Sequence, residues 1–408
     1  MNRPAVEQTL SSGAPAAAMA RVSPRRRLAF WAFLIILAFA LVEAAAAAGC
    51  FAILSTHGRF LLWHPDLDEA RRNFNAAADD VDEELGWPRR SEATRPPRDS
   101  TGAKLNPEFP ASSRACASAY GDSFTWGEEL APADGWIEQL SHRLGCRVAN
   151  YGVSGYGTDQ AYQRFRRTAA DDAPVALLGI FPENIVRNVN QYRALIGYAA
   201  HPVSLKGRFV LDAAGRLSWV LRPRLDAEGF VALNSVPAAM LSDEYLLPDS
   251  RDGPVTMSFP YTLTLVRIAL KPRVWARFTG RPSWSAFYQP DHPAHALALT
   301  AATAQAFAHE AARRGKRALV VMLPGASSFR GQAKYGSFEY APLVDRLADA
   351  GVPVFDAGPA LLEKVGQTGY CALYLHPESC DGHYGVAGST IVAEVVDAEL
   401  RRRALVTK

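Results

Sequence analysis

The chain has 408 residues, 49% of them apolar and 21% charged, which is enough for one large or two ordinary domains with a sizeable core and excludes bulk disorder. The formal net charge of +3 is close to balance, and much of the excess sits at the N-terminus, where Arg3, Arg21, Arg25, Arg26 and Arg27 meet a single acid, Glu7. Such a balance argues against a nucleic-acid-binding surface.

Residues Leu28 to Val42 form an unbroken apolar run, followed by Glu43, the alanines 44–48, Gly49, Cys50 and four more apolar residues to Leu54. A membrane span needs roughly 20 residues. The run reaches that length only through the alanines, which leaves Glu43 near the outer interface. We therefore expect an uncleaved anchor over 28–54, a basic cytoplasmic tail over 1–27, and the remainder outside the cytosol, periplasmic on an inner membrane. A cleaved signal peptide ending among the alanines, or a lipid on Cys50, are the alternatives. All three place the rest of the chain where disulfides form. Cys371 and Cys380 bracket a short loop and suit a bridge. Cys116 and Cys146 lie near the starts of neighbouring predicted strands and are read as buried thiols in preference to a pair. Cys50 is expected to stay unpaired.

Residues 55–112 are polar, rich in Pro and Arg and weakly periodic, with an acidic cluster at 80–84 and Arg95-Pro96-Pro97-Arg98. They read as a juxtamembrane linker. The folded domain is expected over 113–403. Its pattern starts with a strand over 115–120, a helix over 135–144, a strand over 147–153, a helix over 159–169 and a fully apolar strand over 174–181, with a helix after Asn184. Residues 198–285 read as an insertion holding one hairpin, 208–212 against 217–221, and otherwise Pro-rich loop. The pattern then returns as a helix over 295–312, strands over 317–323 and 352–355, a helix over 343–350 and a closing helix over 386–400. Alternation of strand and helix predicts an α/β fold, a three-layer α/β/α sandwich with a parallel sheet of about five strands.

Four short segments carry chemistry. Gly121-Asp122-Ser123 follows the first strand, Asn150-Tyr151-Gly152-Val153-Ser154-Gly155 the second, and Pro182-Glu183-Asn184 the third, with Asp381-Gly382-His383 near the C-terminus. In an open parallel sheet, reactive groups gather at the carboxyl ends of strands. A Ser hydroxyl needs a base to become a nucleophile. His383 is the candidate base and Asp381 its candidate orienting acid. The Ser123 and Gly155 N–H groups and the Asn184 side-chain amide are candidate oxyanion donors. Gly-x-Ser-x-Gly is absent, which argues against the lipase-type elbow. Asp122 is read as holding the turn, His142 as a helix-surface residue and His376 as a loop residue. Trp126, Tyr151 and Tyr156 are candidates for stacking on a sugar, or else walls of the site. No metal-ligand spacing and no phosphate-binding glycine loop is present, and Ser–His chemistry needs no cofactor.

Taken together, these segments resemble the SGNH (GDSL-type) hydrolase superfamily over roughly residues 113–403, with a flavodoxin-like sheet. The family's Ser, Gly, Asn and His fall on Ser123, Gly155, Asn184 and His383. Asp381 matches the Asp before the His, two residues away where many members use three. That spacing resembles the branch with membrane-associated sugar O-acetyltransferases and esterases. The third segment departs from the family's Gly-x-Asn-Asp. The resemblance implies a membrane-anchored serine esterase acting on ester-linked acyl groups, chiefly O-acetyl, of envelope glycans or lipids. Its alternatives are an O-acyltransferase using the same Ser–His–Asp site and a non-catalytic glycan-binding envelope protein. The expected partners are the acylated carbohydrate or lipid and the membrane.

Overall fold

A computed structural model describes residues 23–57, 60–77, 81–88, 97–197 and 203–406. Of the features named above, Arg3, Glu7, Arg21, Asp80, Arg95 and Pro96 lie outside the described residues. The first element is α1 (Pro24–His57), which opens on Arg25, Arg26 and Arg27. Large apolar side chains along it, among them Phe30, Trp31, Ile35, Ile36 and Leu41, stand exposed. Among the described residues it is the helix long and apolar enough to cross a membrane, as an anchor or a signal sequence would.

The segment expected as a linker is instead packed into the molecule. It contains β1 (Leu62–Trp63) and α2 (Leu67–Ala77), and Trp63, Ala70, Ala77, Val81 and Ala103 join the main core. Phe74 of α2 stacks near Phe230 at 5.3 Å between ring centroids. Further on, Trp87 and Leu85 close a small cluster with Val153 and Tyr156. Buried Lys104 donates to Trp126 O at 2.8 Å and pairs with Glu138 at 3.6 Å, while the Arg98 guanidinium lies 4.3 Å over the Trp126 ring. Irregular backbone buries side chains without a repeat, so no period announces it.

The core alternation follows as β2 (Ala115–Tyr120), α3 (Ser123–Trp126), α4 (Trp136–Leu144), β3 (Arg147–Asn150), α5 (Thr158–Arg167), β4 (Val175–Ile180) and α6 (Asn184–Asn188). The insertion holds the expected hairpin, β5 (Arg208–Leu211) against β6 (Leu217–Val220). It also holds α7 (Ala227–Ser235), β7 (Val255–Thr256), α8 (Tyr261–Ala269) and α9 (Pro272–Thr279), where loop was expected. Then come α10 (Ala296–Arg313), β8 (Arg317–Met322), α11 (Ala326–Tyr335), α12 (Ala341–Asp349), β9 (Val354–Asp356), α13 (Ala357–Val365), β10 (Tyr374–His376), β11 (Asp381–Tyr384) and α14 (Val386–Arg402).

Five strands form one parallel sheet in the order β3-β2-β4-β8-β9. Every residue of β4 is buried, as a strand covered on both faces requires. Helices α4, α13 and α14 pack on one face and α5, α10 and α12 on the other. Along α10, Leu297, Ala301, Ala304, Phe307 and Ala311 form the buried stripe. Phe307 is fully buried among Tyr120, Tyr162 and Phe165; burying such a ring contributes roughly 3 kcal/mol. Because β2 has β3 on one side and β4 on the other, the chain reverses its winding direction there, and a crevice opens at the carboxyl ends of β2 and its neighbours.

Two disulfides form. Cys371–Cys380 is the expected one; Cys116–Cys146, expected as thiols, is also bridged, and Cys50 is free and buried. Parallel pairing brings the starts of β2 and β3 together, with Cys116 and Cys146 Cα atoms 6.0 Å apart. That spacing suits a bridge.

Candidate active site

Ser123 is the first residue of α3, directly after β2. The turn is held by Asp122, whose carboxylate accepts from Phe124 N at 3.0 Å. Asp122 is fully buried and pairs with Arg187 at 3.3 Å. Burial pushes its carboxyl above the usual range, against the pull of the Arg187 charge. The turn requires a glycine before it: a Cβ on Gly121 would lie 2.1 Å from Thr125 Oγ1. Thr125 is wedged between the ends of β2 and β4, which sets the height of α3 above the sheet. Asn150 completes the support, donating to Thr125 O and to Glu138 Oε1 at 3.0 Å each and accepting from Gly152 N at 3.0 Å.

The loop after β3 brings Ser154 and Gly155 alongside. Gly155 has φ +74°, a left-handed conformation that suits glycine. Trp87 fixes this loop by donating to Ser154 O at 2.8 Å, and Tyr156 Oη donates to Trp87 O at 2.6 Å. His383 comes from β11, on a two-stranded hairpin with β10 whose Tyr374 and Tyr384 hydroxyls both donate to Pro324 O, at 3.0 and 2.8 Å. The imidazole packs near the Phe124 ring at 5.0 Å, and Phe124 stacks on Phe181 at 4.2 Å.

Ser123, Gly155, Asp381 and His383 all line one cleft of about 690 Å³. Phe181, Glu183, Arg187, Trp284 and Arg330 complete its walls. In this geometry no hydrogen bond among the described residues joins Ser123 to His383; such bonds commonly tighten only with substrate. The His383 Nδ1 partner is Glu129, whose Oε2 lies 3.2 Å away. Asp381 sits at the rim, exposed, and its carboxylate makes no hydrogen bond among the described residues. In this geometry the carboxylate bonded to His383 is that of Glu129, from the loop after α3, and Asp381 makes no such bond among the described residues. Glu129 has φ +65° in that loop, and nothing in its local sequence marks it.

Asn184 begins α6 but is fully buried and does not line the cleft, although its neighbour Glu183 does. Both its amide atoms lack a partner among the described residues. It does not cap α6: the cap position is Glu183, with no side-chain cap bond. Arg187, one turn along α6, bridges Asp122, Glu183 Oε1 at 3.1 Å and Tyr156 O at 3.0 Å. The proposed sugar-stacking aromatics are structural: Tyr151 and Tyr156 are buried, and Trp126 lies beneath Arg98. His142 is exposed on α4, bonded to Glu108, as expected of a surface residue. His376 is also exposed. Trp284, from the insertion, was not anticipated; Glu339 anchors its indole at 3.1 Å. A narrow apolar cavity lined by Phe60, Pro272, Ala276 and Phe287 shares Glu183 and Trp284 with the cleft. Among the described residues no group of His, Cys, Asp and Glu is arranged to hold a metal ion.

No family model matches the chain, and no curated protein matches it. Among solved structures, it is similar to a G-D-S-L family protein from Desulfitobacterium hafniense DCB-2 at 10% identity and TM-score 0.32, over 69% of this chain and 97% of that one. A protein from Lactobacillus plantarum is similar at 14% identity and TM-score 0.31, over 71% and 98%. Likeness at this level bears on neither fold nor function, and the architecture above rests on the strand order alone.

Proposed function

We propose that this chain is a membrane-anchored serine esterase that acts outside the cytosol on acyl groups of envelope glycans or lipids. The observation that carries the reading is one cleft at the carboxyl ends of β2 and β3. It presents a Ser hydroxyl at a helix start, without a partner among the described residues, a glycine, and an imidazole whose far nitrogen is held by a carboxylate. In the proposed reaction, Ser123 Oγ attacks the acyl carbonyl carbon and its proton passes to His383 Nε2. The Glu129 carboxylate stabilises the imidazolium that results. The N–H groups of Ser123 and Gly155 take the oxyanion, and the Asn184 amide, buried beside the cleft without a partner among the described residues, is a third donor only if substrate binding brings it to the cleft. Collapse expels the alcohol, which takes the proton from His383, and water then releases the acid from the acyl-serine. Residues 24–57 hold the domain at the membrane, with Arg25, Arg26 and Arg27 on the cytoplasmic side. The apolar cavity beside the cleft, reached past Trp284, would take the acyl group.

A panel of acetyl and longer-chain esters, run with and without a carbohydrate acceptor, tests the reading. Ser123-dependent release of free acid supports it. Acyl transfer to the acceptor in preference to water would make the chain an O-acyltransferase. No turnover, together with no labelling of Ser123 by a fluorophosphonate, would leave a glycan-binding module.

A further inference from the structure

We infer that α8 and α9 form a second membrane contact, with α8 lying against the outer half of α1 and its outward stripe in lipid. The inference rests on the reading of α1 as a membrane span. Its first ground is that α8 is apolar on two faces. Inward, Ile268 is buried in a cluster with Cys50, Leu61, Leu62 and Val255, and Leu265 packs on that cluster. Outward, Leu263 and Val266 of α8, with Phe259 just before it and Leu270 just after it, are all exposed, Leu270 by 73%. In α9, Trp275 and Phe278 are exposed as well, Phe278 by 78%. A contiguous exposed apolar stripe marks a surface that meets a bilayer or a partner, and among the described residues nothing covers it. The stripe continues the exposed face of α1, with Phe259 and Phe39 ring centroids 6.2 Å apart.

The second ground fixes the depth and selects lipid as the occupant. Glu43 lies about 22 Å along α1 from Leu28 at 1.5 Å per residue, inside a hydrocarbon core about 30 Å thick. An acid there is costly unless it is bonded. Glu43 is 5% exposed, and its carboxylate accepts from Tyr261 N at 2.6 Å, Thr262 N at 3.4 Å and the Thr262 hydroxyl. These are the first donors of α8, which Pro260 at the cap position cannot satisfy. The start of α8 therefore sits at the depth of Glu43, where free N–H groups would meet hydrocarbon without water. At that depth each group answers the other's need. The polar end points the other way: Arg267 pairs with Asp249 at 2.7 Å and Lys271 bonds Ser250 O, both on the folded domain.

The test places the photoreactive residue benzoylphenylalanine in the full chain, one position at a time, and irradiates native membranes. Ile36 reports α1, Leu263, Val266 and Leu270 report α8, and the exposed hairpin residue Ala213 is the control. Circular dichroism checks that each substituted chain folds. The expected result is phospholipid adducts at 263, 266 and 270 as abundant as at 36, and none at 213. Lipid adducts at 36 with none on α8 would overturn the inference while leaving the anchor intact. So would adducts on α8 to a second copy of the chain or to another protein. No lipid adduct at 36 would remove the anchor reading, and the inference with it.

Discussion

At the scale of single residues, the decisive arrangement is His383 between Ser123 and Glu129. Ser123→Ala and His383→Ala should each abolish nearly all turnover, a loss of about 10²–10⁴ for the base alone, with unchanged circular dichroism. The two carboxylates separate by their place. Glu129 bonds His383 Nδ1 and Asp381 bonds nothing among the described residues. Glu129→Gln should therefore lower kcat by about tenfold or more, since losing the acid leaves the wrong tautomer, and Asp381→Asn should do much less. The opposite order would return the role to Asp381. Asn184 makes a sharper case. Its amide bonds nothing among the described residues, so Asn184→Ala should leave the melting temperature nearly unchanged. As an oxyanion donor it should cut kcat by about 10²–10³ at steady KM. Normal turnover in the Asn184→Ala variant would take it out of the site.

At the scale of elements, the two disulfides hold different things. Cys116–Cys146 ties the starts of β2 and β3, far from the cleft, across a sequence separation of 30. Replacing both residues by Ser should cost about 3–4 kcal/mol by loop entropy and leave kcat near normal. Cys371–Cys380 spans only 9 residues and sits beside the hairpin that carries His383. Its removal should cost about 2–3 kcal/mol by the same argument but lower kcat first, because β11 would hold the imidazole less firmly. Chemical denaturation and kinetics on the two double variants test both statements. A larger kcat loss from the first pair would contradict this division.

At the scale of the whole molecule, the membrane reading joins α1, the insertion and the cleft. Arg25, Arg26 and Arg27 precede the apolar run, so the C-terminus should lie outside. A reporter enzyme active only in the periplasm, fused to the C-terminus, should work; activity from a cytosol-only reporter would overturn the orientation. That orientation would place the two disulfides where such bonds form. The described residues of 60–105 matter here too: through Trp87, Arg98 and Lys104 they brace the Gly155 loop and the end of α3, so the stretch after α1 is part of the site's support and not a tether.

The sequence by itself determined the parallel sheet, because strands buried on both faces must be continuously apolar, and 175–180 and 318–322 are. It determined Ser123, Gly155 and His383 as neighbours, because each closely follows a strand end or a short signature that only a turn accommodates. Tertiary structure decided the rest. Glu129 reaches His383 from a loop distant in the chain, and no spacing records such a contact. Around β1 and α2, the described residues of 60–105 join the core largely as irregular backbone, which buries side chains without a period. Cys116 and Cys146 pair because β2 and β3 are parallel neighbours, a matter of register and not of composition. α8 is a short helix directly after Pro260 inside a stretch that reads as Pro-rich loop; its place beside α1 follows from Glu43, whose carboxylate finds its donors only when two helices more than two hundred residues apart are brought together.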